Sequence, residues 1–351
     1  MIKDNNKKQE GGDGSSNVQA ENVNVYNGIT YSDAKEIFQD LFENNFLKLK
    51  SEAANVAQER AEHITEKFLG KLKQESPDSL NEFEKPAMQD ALFTVQKEYA
   101  KSGDENLEEL LIDILVDRSK TQERNMLQLV LDESLKIAPF LTVEQLDTLT
   151  LGFILNRTKW RNIGNFKEFQ QRIEEDVSPF AENILTEYKH YNYLEFQRCG
   201  QIRTGNFGKL ENNFVKRYKG IFSKGITIEE IETILGEPNV FPSLLMPCLH
   251  NQSLLQISTM DDEVLDQEME KLKVPQEAKP KFKKIFNQST MNAADVKSLI
   301  IKSNPCFEKL FEVIDSSMFN RFELSSVGIA IAHANFRRRT GKTMDLSIWI
   351  N

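Results

Sequence analysis

Cysteine is scarce in this chain of 351 residues, and its three cysteines lie far apart. Cys199, Cys248 and Cys306 form no CxxC pair, which excludes a disulfide framework and a structural zinc site. We therefore expect three buried thiols in a reducing compartment. Histidine is scarce as well, and the four residues show no metal-ligand spacing such as HxxxH. We expect no metal ion and no other cofactor.

Long apolar runs are also missing. No stretch approaches the ~18 apolar residues that span a bilayer, and the first residues lack the apolar run of a secretory signal. We therefore expect a cytoplasmic protein without membrane contact. Acidic side chains outnumber basic ones by 54 to 44, which gives a net charge of −10. This charge disfavours nucleic-acid binding across the whole surface.

Proline and glycine are few, at 10 and 16 residues, so little interrupts helical periodicity. The apolar spacing of three and four predicts a mainly α-helical protein, with one helix over 32–74 that is roughly 60 Å long. Small residues in its middle favour close packing of another helix, from this chain or from a second copy. These residues are Ala53, Ala54, Ala57 and Ala61.

Capping signals predict a helical body after the long helix. Thr142 and Thr227 each begin a capping box, and Gly236 follows the second helix. We divide the chain into a flexible head with a β-forming segment (1–28), a long helix (29–75), the helical body (76–241) and a small C-terminal α+β unit (242–351). Within the last unit we expect a helix over 243–249 and strands over 254–258, 319–324 and 345–350.

The C-terminal unit holds the most informative motif of the body. The run RFELSSVG at 321–328 resembles the strand-to-helix junction of winged-helix domains, with Ser325 as the helix cap and Gly341 as its end. The resemblance covers about thirty residues and implies a helix that contacts nucleic acid or protein. Four cations at its end are the candidates for phosphate contact: Arg337, Arg338, Arg339 and Lys342. The favoured alternative is that they complement the helix dipole and bind acidic neighbours.

Catalytic motifs are missing from the sequence. The triplet Gly341-Lys342-Thr343 is not a phosphate loop, because Phe336 stands where that motif needs glycine and the triplet ends a helix. No Gly-x-Ser-x-Gly elbow occurs. We therefore expect a non-enzymatic protein, with a hydrolase whose site is assembled from remote residues as a further alternative.

The head carries a pattern typical of cross-β assembly. Amides alternate with small apolar residues, so stacked copies form amide ladders and dry valine zippers. The candidate self-association residues are Asn17, Val18, Gln19, Val23, Asn24 and Val25. The segment resembles the short Gly-Asn-Gln-Val segments of signalling amyloids in bacterial and fungal cell-death systems. Two alternatives stay open, an edge strand added to a sheet or a partner chain, and a disordered tail.

The two ends of the chain share a broader resemblance. The head NVYNGITYSDA at 24–34 and the tail segments VGIAIAHAN at 327–335 and DLSIWI at 345–350 are similar to a family of uncharacterised bacterial proteins. This resemblance implies a bacterial source, and heads of the form Gly-Asp-x-Ser-x-Asn-x-Gln resemble components of phage-defence or cell-death loci. We expect a self-assembling interaction protein, a homo-oligomer, with a nucleic-acid-binding regulator as the alternative.

Overall fold

The computed structural model describes residues 30–45, 51–236 and 242–350, and these are mainly α-helical, as predicted. In chain order, helices α1 to α16 are Tyr31–Asn45, Ser51–Glu75, Pro86–Ser102, Glu105–Ser119, Met126–Ile137, Val143–Arg157, Phe166–Asp176, Ser178–Ala181, Tyr188–Phe196, Leu210–Arg217, Ile228–Leu235, Asp262–Lys271, Lys279–Ser289, Ala293–Ser303, Phe307–Ser316 and Ser326–Thr340. Strands β1 to β4 are Gly200–Ile202, Leu245–Pro247, Leu255–Ile257 and Phe322–Leu324. Short 3₁₀ helices are Pro77–Glu84, Ala138–Phe140, Pro242–Leu244, Met318–Arg321 and Leu346–Ile348.

The predicted caps fix the ends of three helices. The Thr142 hydroxyl accepts a hydrogen bond from the Gln145 amide, and the Gln145 side chain accepts one from the Thr142 amide. Thr227 begins α11 in the same way. Ser325 accepts from the Gly328 amide at the start of α16, and Gly341 ends that helix in the left-handed conformation with φ of 69°.

The prediction of one helix over 32–74 is wrong, because α1 and α2 pack side by side and antiparallel. The Lys35 ammonium lies 2.6 Å from the Glu66 carboxylate, and Gln58 donates to Glu43 at 3.1 Å. The physical reason is burial: the apolar faces of the two segments cover each other instead of facing water. Phe42 packs in one cluster with Ala57 and Ala61. The helix that packs against Ala57 and Ala61 is therefore α1 of the same chain.

Buried apolar residues of the described parts form two main cores, in addition to the small cluster around Phe42 and Ala57. The larger core runs from α1 through α10 and resumes from α14 to the end, whereas the smaller core draws its buried residues from Ile226 to Phe286. Helix α16 lies in the larger core against α4, α5 and α6, and every residue from Gly328 to Arg337 is buried. The predicted domain boundary at residue 242 stays a prediction.

The sheets join distant segments. Strand β4 pairs antiparallel with β1, with Gly200 opposite Leu324. Strand β2 pairs with β3, so the predicted helix over 243–249 is wrong beyond Leu244, because backbone groups from Leu245 onward bond to a neighbouring strand. The predicted strand over 319–324 begins only at Phe322, after a 3₁₀ turn.

The predicted strand over 345–350 is wrong, because Leu346–Ile348 forms a 3₁₀ turn. Asp345 caps this turn by accepting from the Ser347 amide at 3.0 Å. Leu346 and Ile350, four residues apart, are buried, while Ile348 between them is 66% exposed. A strand would place all three on one face, so the turn buries the tail better. In the parts of the chain described above, no helix combines the length and apolar character needed to cross a bilayer.

Candidate functional site

The predicted basic residues at the end of α16 are tied to acidic and carbonyl groups. Arg337 lies 2.8 Å from an Asp117 carboxylate oxygen and donates to the Asp113 carbonyl at 2.7 Å. Arg338 donates to the side-chain oxygens of Asn106 and Asn335. Only 8% and 5% of these two side chains is exposed, so both belong to the packed interior.

The other two cations have similar partners. Arg339 lies 3.1 Å from an oxygen of Asp147, which is fully buried. Lys342 contacts Glu175 at 2.6 Å and Asp176 at 2.5 Å. Both cations therefore link the end of α16 to α6 and α7 by charge-assisted hydrogen bonds.

The pKa values reflect the competition between burial and pairing. Burial lowers the pKa of Arg337, but Asp117 and Asp113 outweigh that effect and raise it above its ordinary value. Burial likewise opposes the charge of Lys342, and hydrogen bonds to Asp176 and Glu175 raise its pKa. For Arg338, burial dominates and lowers the pKa. The charged forms of Arg337 and Lys342 are thus stabilised by neighbours within the chain.

These contacts match the alternative in which the cations bind acidic neighbours. A phosphate at Arg337 would have to displace Asp117, which lies on the adjacent helix α4. Nucleic-acid binding by Arg337, Arg338, Arg339 and Lys342 stays a prediction, and the pairing weighs against it because paired cations release few counterions.

His333 extends this network into the core. Its side chain is 2% exposed, and its Nε2 lies 2.9 Å from the Met344 carbonyl, so the ring proton is on Nε2. Nδ1 has no hydrogen-bond partner among the residues that the structure describes and lies 3.9 Å from Asp117. Burial lowers the pKa of His333, and Asp117 offsets that only in part. The ring is therefore neutral at neutral pH.

Acidification should destabilise the protein through His333. The unfolded chain takes up the proton near pH 6.5, whereas the folded chain takes it up only at lower pH. The free energy of unfolding therefore falls as the pH drops through 6.5 and levels off below the folded pKa. We expect His333→Gln to make the melting temperature less sensitive to pH between 7.5 and 5.5. Equal pH sensitivity of the variant and the original chain would contradict this assignment.

An exposed aromatic patch includes two residues of α9, on the face of the helix away from the residues that it buries. We define the aromatic patch as Phe140, Tyr193 and Phe196, which are 57%, 37% and 78% exposed. The Tyr193 hydroxyl donates to the Phe140 carbonyl at 3.0 Å, and the rings of Tyr193 and Phe196 lie 6.5 Å apart. Gln197 donates to the same hydroxyl at 2.8 Å. These bonds fix the Tyr193 side chain, while the exposed apolar area of the three rings stabilises the fold little.

Charged and aliphatic groups border the patch. Leu129 on α5 is 46% exposed. One helical turn later, Glu133 forms an ion pair with Arg198 at 2.8 Å, which connects α5 to the residues after α9. Lys136 is exposed on the next turn of α5. The surface therefore combines apolar area with charges of both signs.

Sequence reasoning missed the aromatic patch. Helix α9 buries Tyr191 and Leu194, spaced by three, and the exposed aromatics are out of phase with that pair. This difference in helical phase between buried and exposed aromatics can be read from the sequence. The contact between Tyr193 and Phe140 cannot, because 53 residues separate them.

The self-association residues predicted in the head, Asn17, Val18, Gln19, Val23, Asn24 and Val25, lie outside the described residues. Nothing in the structure tests them.

The cysteines only partly match the expectation. Cys199 and Cys248 are buried, and burial raises the pKa of the Cys199 thiol to about 12. Cys306 is exposed, so the prediction of three buried thiols is wrong there. It precedes α15 and bonds to Asn304, while the residues after it supply the buried face of that helix. Within residues 30–45, 51–236 and 242–350, no three or more side chains of the metal-ligating types cluster.

The fold and surface define a mainly α-helical protein with a central buried helix. A family model described only as ":-like" matches residues 28–350, and the chain belongs to that family. The match is consistent with the predicted membership of an uncharacterised family, and the description states no activity. No curated protein and no solved structure matches the chain.

Proposed function

We propose that this chain is a non-enzymatic interaction protein that assembles with copies of itself. The observation that carries the proposal is the aromatic patch, in which three aromatic side chains are exposed and hydrogen bonds fix the Tyr193 hydroxyl. Exposed aromatic clusters bordered by polar residues are typical of protein interfaces, where such side chains supply much of the binding energy. Phe196, at 78% exposure, is the residue with the most area to bury.

A second copy of the chain is the occupant that the charges favour. In a two-fold symmetric contact the same surface of each copy meets. Cations of one copy can therefore pair with anions of the other only if that surface carries both positive and negative charges. Glu133 supplies the anion, and Arg198 and Lys136 supply cations beside the rings. Because two copies with a charge of −10 each repel at long range, local pairing and apolar burial must hold them together.

The head supplies a second contact in this proposal. Its amide and valine alternation supports strand addition between copies or cross-β stacking. Removing residues 1–28 should therefore reduce the size of the assembly without unfolding the helical body.

The cellular setting that we propose is phage defence or cell-death signalling in the cytoplasm of a bacterium. The support is the resemblance of the head to signalling amyloid segments. Assembly fits such a role, because a trigger that raises the local concentration of a weakly associating chain switches it to the oligomer.

Phe196→Ser tests the patch directly. We expect it to weaken self-association by about tenfold or more, since truncation of a central aromatic in an interface commonly has such an effect. Sedimentation velocity over a concentration series measures the dissociation constant.

The matched control is Ile228→Ser, which replaces another exposed apolar side chain, 56% exposed on α11. We expect the control to associate like the original chain. Unchanged association of Phe196→Ser, or an equal loss in both variants, would refute the patch as the contact. Phage challenge of a host that expresses these variants then relates assembly to protection.

A further inference from the structure

A cavity of about 600 Å³ lies where the end of α6 meets α7 and the turn after α16. Its volume is in the range of small-ligand sites. Ile154, Phe336 and Met344 contribute apolar lining, and Thr158 and Thr343 contribute hydroxyl groups. The site is separate from the aromatic patch.

The cavity carries unpaired positive charge. Of the four cations that line it, Lys159 pairs with Asp261, and Lys342 pairs with Glu175 and Asp176. The other two are Arg161 and Arg172. Across the part of the chain that the structure describes, neither arginine side chain has an ion pair or a hydrogen bond, although the charge of Arg172 contributes to lowering the pKa of the nearby Glu175. Arg161 and Arg172 therefore leave positive charge at the cavity although the chain has a net charge of −10 and Asp176 also lines it, and this charge favours an anion.

An aromatic ring borders the same cavity. The indole of Trp160 stacks on Tyr218, with centroids 5.6 Å apart, and meets Phe169 edge to face at 5.7 Å. The Trp160 amide donates to the Tyr218 hydroxyl at 2.9 Å, which fixes the residue. Its indole nitrogen bonds to no other described residue. A rigid indole next to arginines combines a stacking surface with anion binding.

We propose that this cavity binds a phosphorylated small molecule with a flat ring, of which a mononucleotide is the simplest example. Arg161 and Arg172 bind the phosphate, because the guanidinium fork matches phosphate oxygens. Trp160 stacks on the ring or packs against its edge. The Gly341-Lys342-Thr343 turn contributes the Thr343 hydroxyl, not a phosphate loop, since it ends a helix and its lysine is paired.

Calorimetry on the full chain at low salt tests this site. The probes are AMP, GMP, CMP and UMP, with adenosine and inorganic phosphate as the separate parts. We expect at least one mononucleotide to bind about tenfold or more tightly than either part, because phosphate and ring contacts add. Binding should also change the fluorescence of Trp160.

Paired variants locate the site. Arg161→Gln with Arg172→Gln should weaken mononucleotide binding by about tenfold or more, because both charged contacts are lost. The control Arg124→Gln replaces an exposed arginine that also has no ion pair among the described residues, and it should bind normally. Arg161 is exposed and Arg172 is half-buried, so a melting curve should accompany the binding measurement to confirm that the double variant folds.

Three results would overturn the proposal. One is that none of the four mononucleotides binds, and another is that the double variant binds as well as the control. The third is that a single-stranded oligonucleotide binds far more tightly than any mononucleotide through the same arginines, which would favour a nucleic-acid surface instead.

Discussion

Replacing Arg337 with methionine is expected to lower the free energy of unfolding by about 3 kcal/mol. The substitution keeps apolar packing but removes the guanidinium that bonds to Asp117 and to the Asp113 carbonyl. Asp113 is 2% exposed, and among the described residues its remaining ion pair is with Lys71. The carboxylates left behind then repel each other in a poorly solvated environment. Urea unfolding monitored by circular dichroism measures the change.

Arg338→Met is the matched control for this prediction. Arg338 is on the same helix and equally buried, yet its close partners are the neutral amides of Asn106 and Asn335. Its removal leaves no buried carboxylate without a partner, so we expect the free energy of unfolding to fall by only about 1 kcal/mol. Equal losses in the two variants would show that packing, and not the paired charge, is what Arg337 contributes.

Gly328→Ala is expected to destabilise the protein by about 2–3 kcal/mol. A methyl group at this position would lie 1.8 Å from the carbonyl oxygen of Cys199, and backbone cannot rotate away as a side chain can. The same carbonyl accepts a hydrogen bond from the Ser325 amide, so its displacement also disturbs the start of α16. Denaturant unfolding and the near-ultraviolet circular dichroism spectrum report the effect.

Gly70→Ala separates this clash from the general effect of glycine in a helix. Gly70 lies in α2, and a methyl group there would meet nothing within 4 Å. We expect that variant to be more stable by up to about 1 kcal/mol, because alanine loses less conformational freedom in a helix. If Gly328→Ala were as stable as Gly70→Ala, the close approach between α16 and Cys199 would be disproved.

Local signals allowed the helical elements to be predicted. The capping signals act within four residues of the helix ends that they fix, so both can be read in the sequence. They are Thr142, Thr227, Ser325 and Gly341. The antiparallel pair of α1 and α2 could not be predicted in this way. Its contact between Phe42 and Ala57 depends on burial across the chain, and helical periodicity is the same on both sides of the fold-back.

The tail shows a different failure. Alternation in DLSIWI suggested a strand, but the buried residues are Leu346 and Ile350. Spacing of two and spacing of four coincide over six residues, so the pattern does not distinguish a strand from a turn. Long-range contacts decide between the two, among them the bond from the Trp349 indole to the Arg157 carbonyl, 192 residues away.

The candidate sites were visible only in part. The sequence identified Arg337 and Lys342 as a basic cluster, but their partners Asp117 and Asp176 lie more than 160 residues earlier. Charge pairing over such separation is set by tertiary structure, and no local rule predicts it. The aromatic patch was missed for the same reason, because it joins Phe140 to a distant helix.

Light scattering of the full chain after size exclusion, over a concentration series, measures whether the protein assembles with itself. We expect a mass of at least twice the 40.4 kDa of one chain, which falls towards 40.4 kDa on dilution. A mass of 40.4 kDa at every concentration would contradict the proposal that the protein acts by assembling with itself.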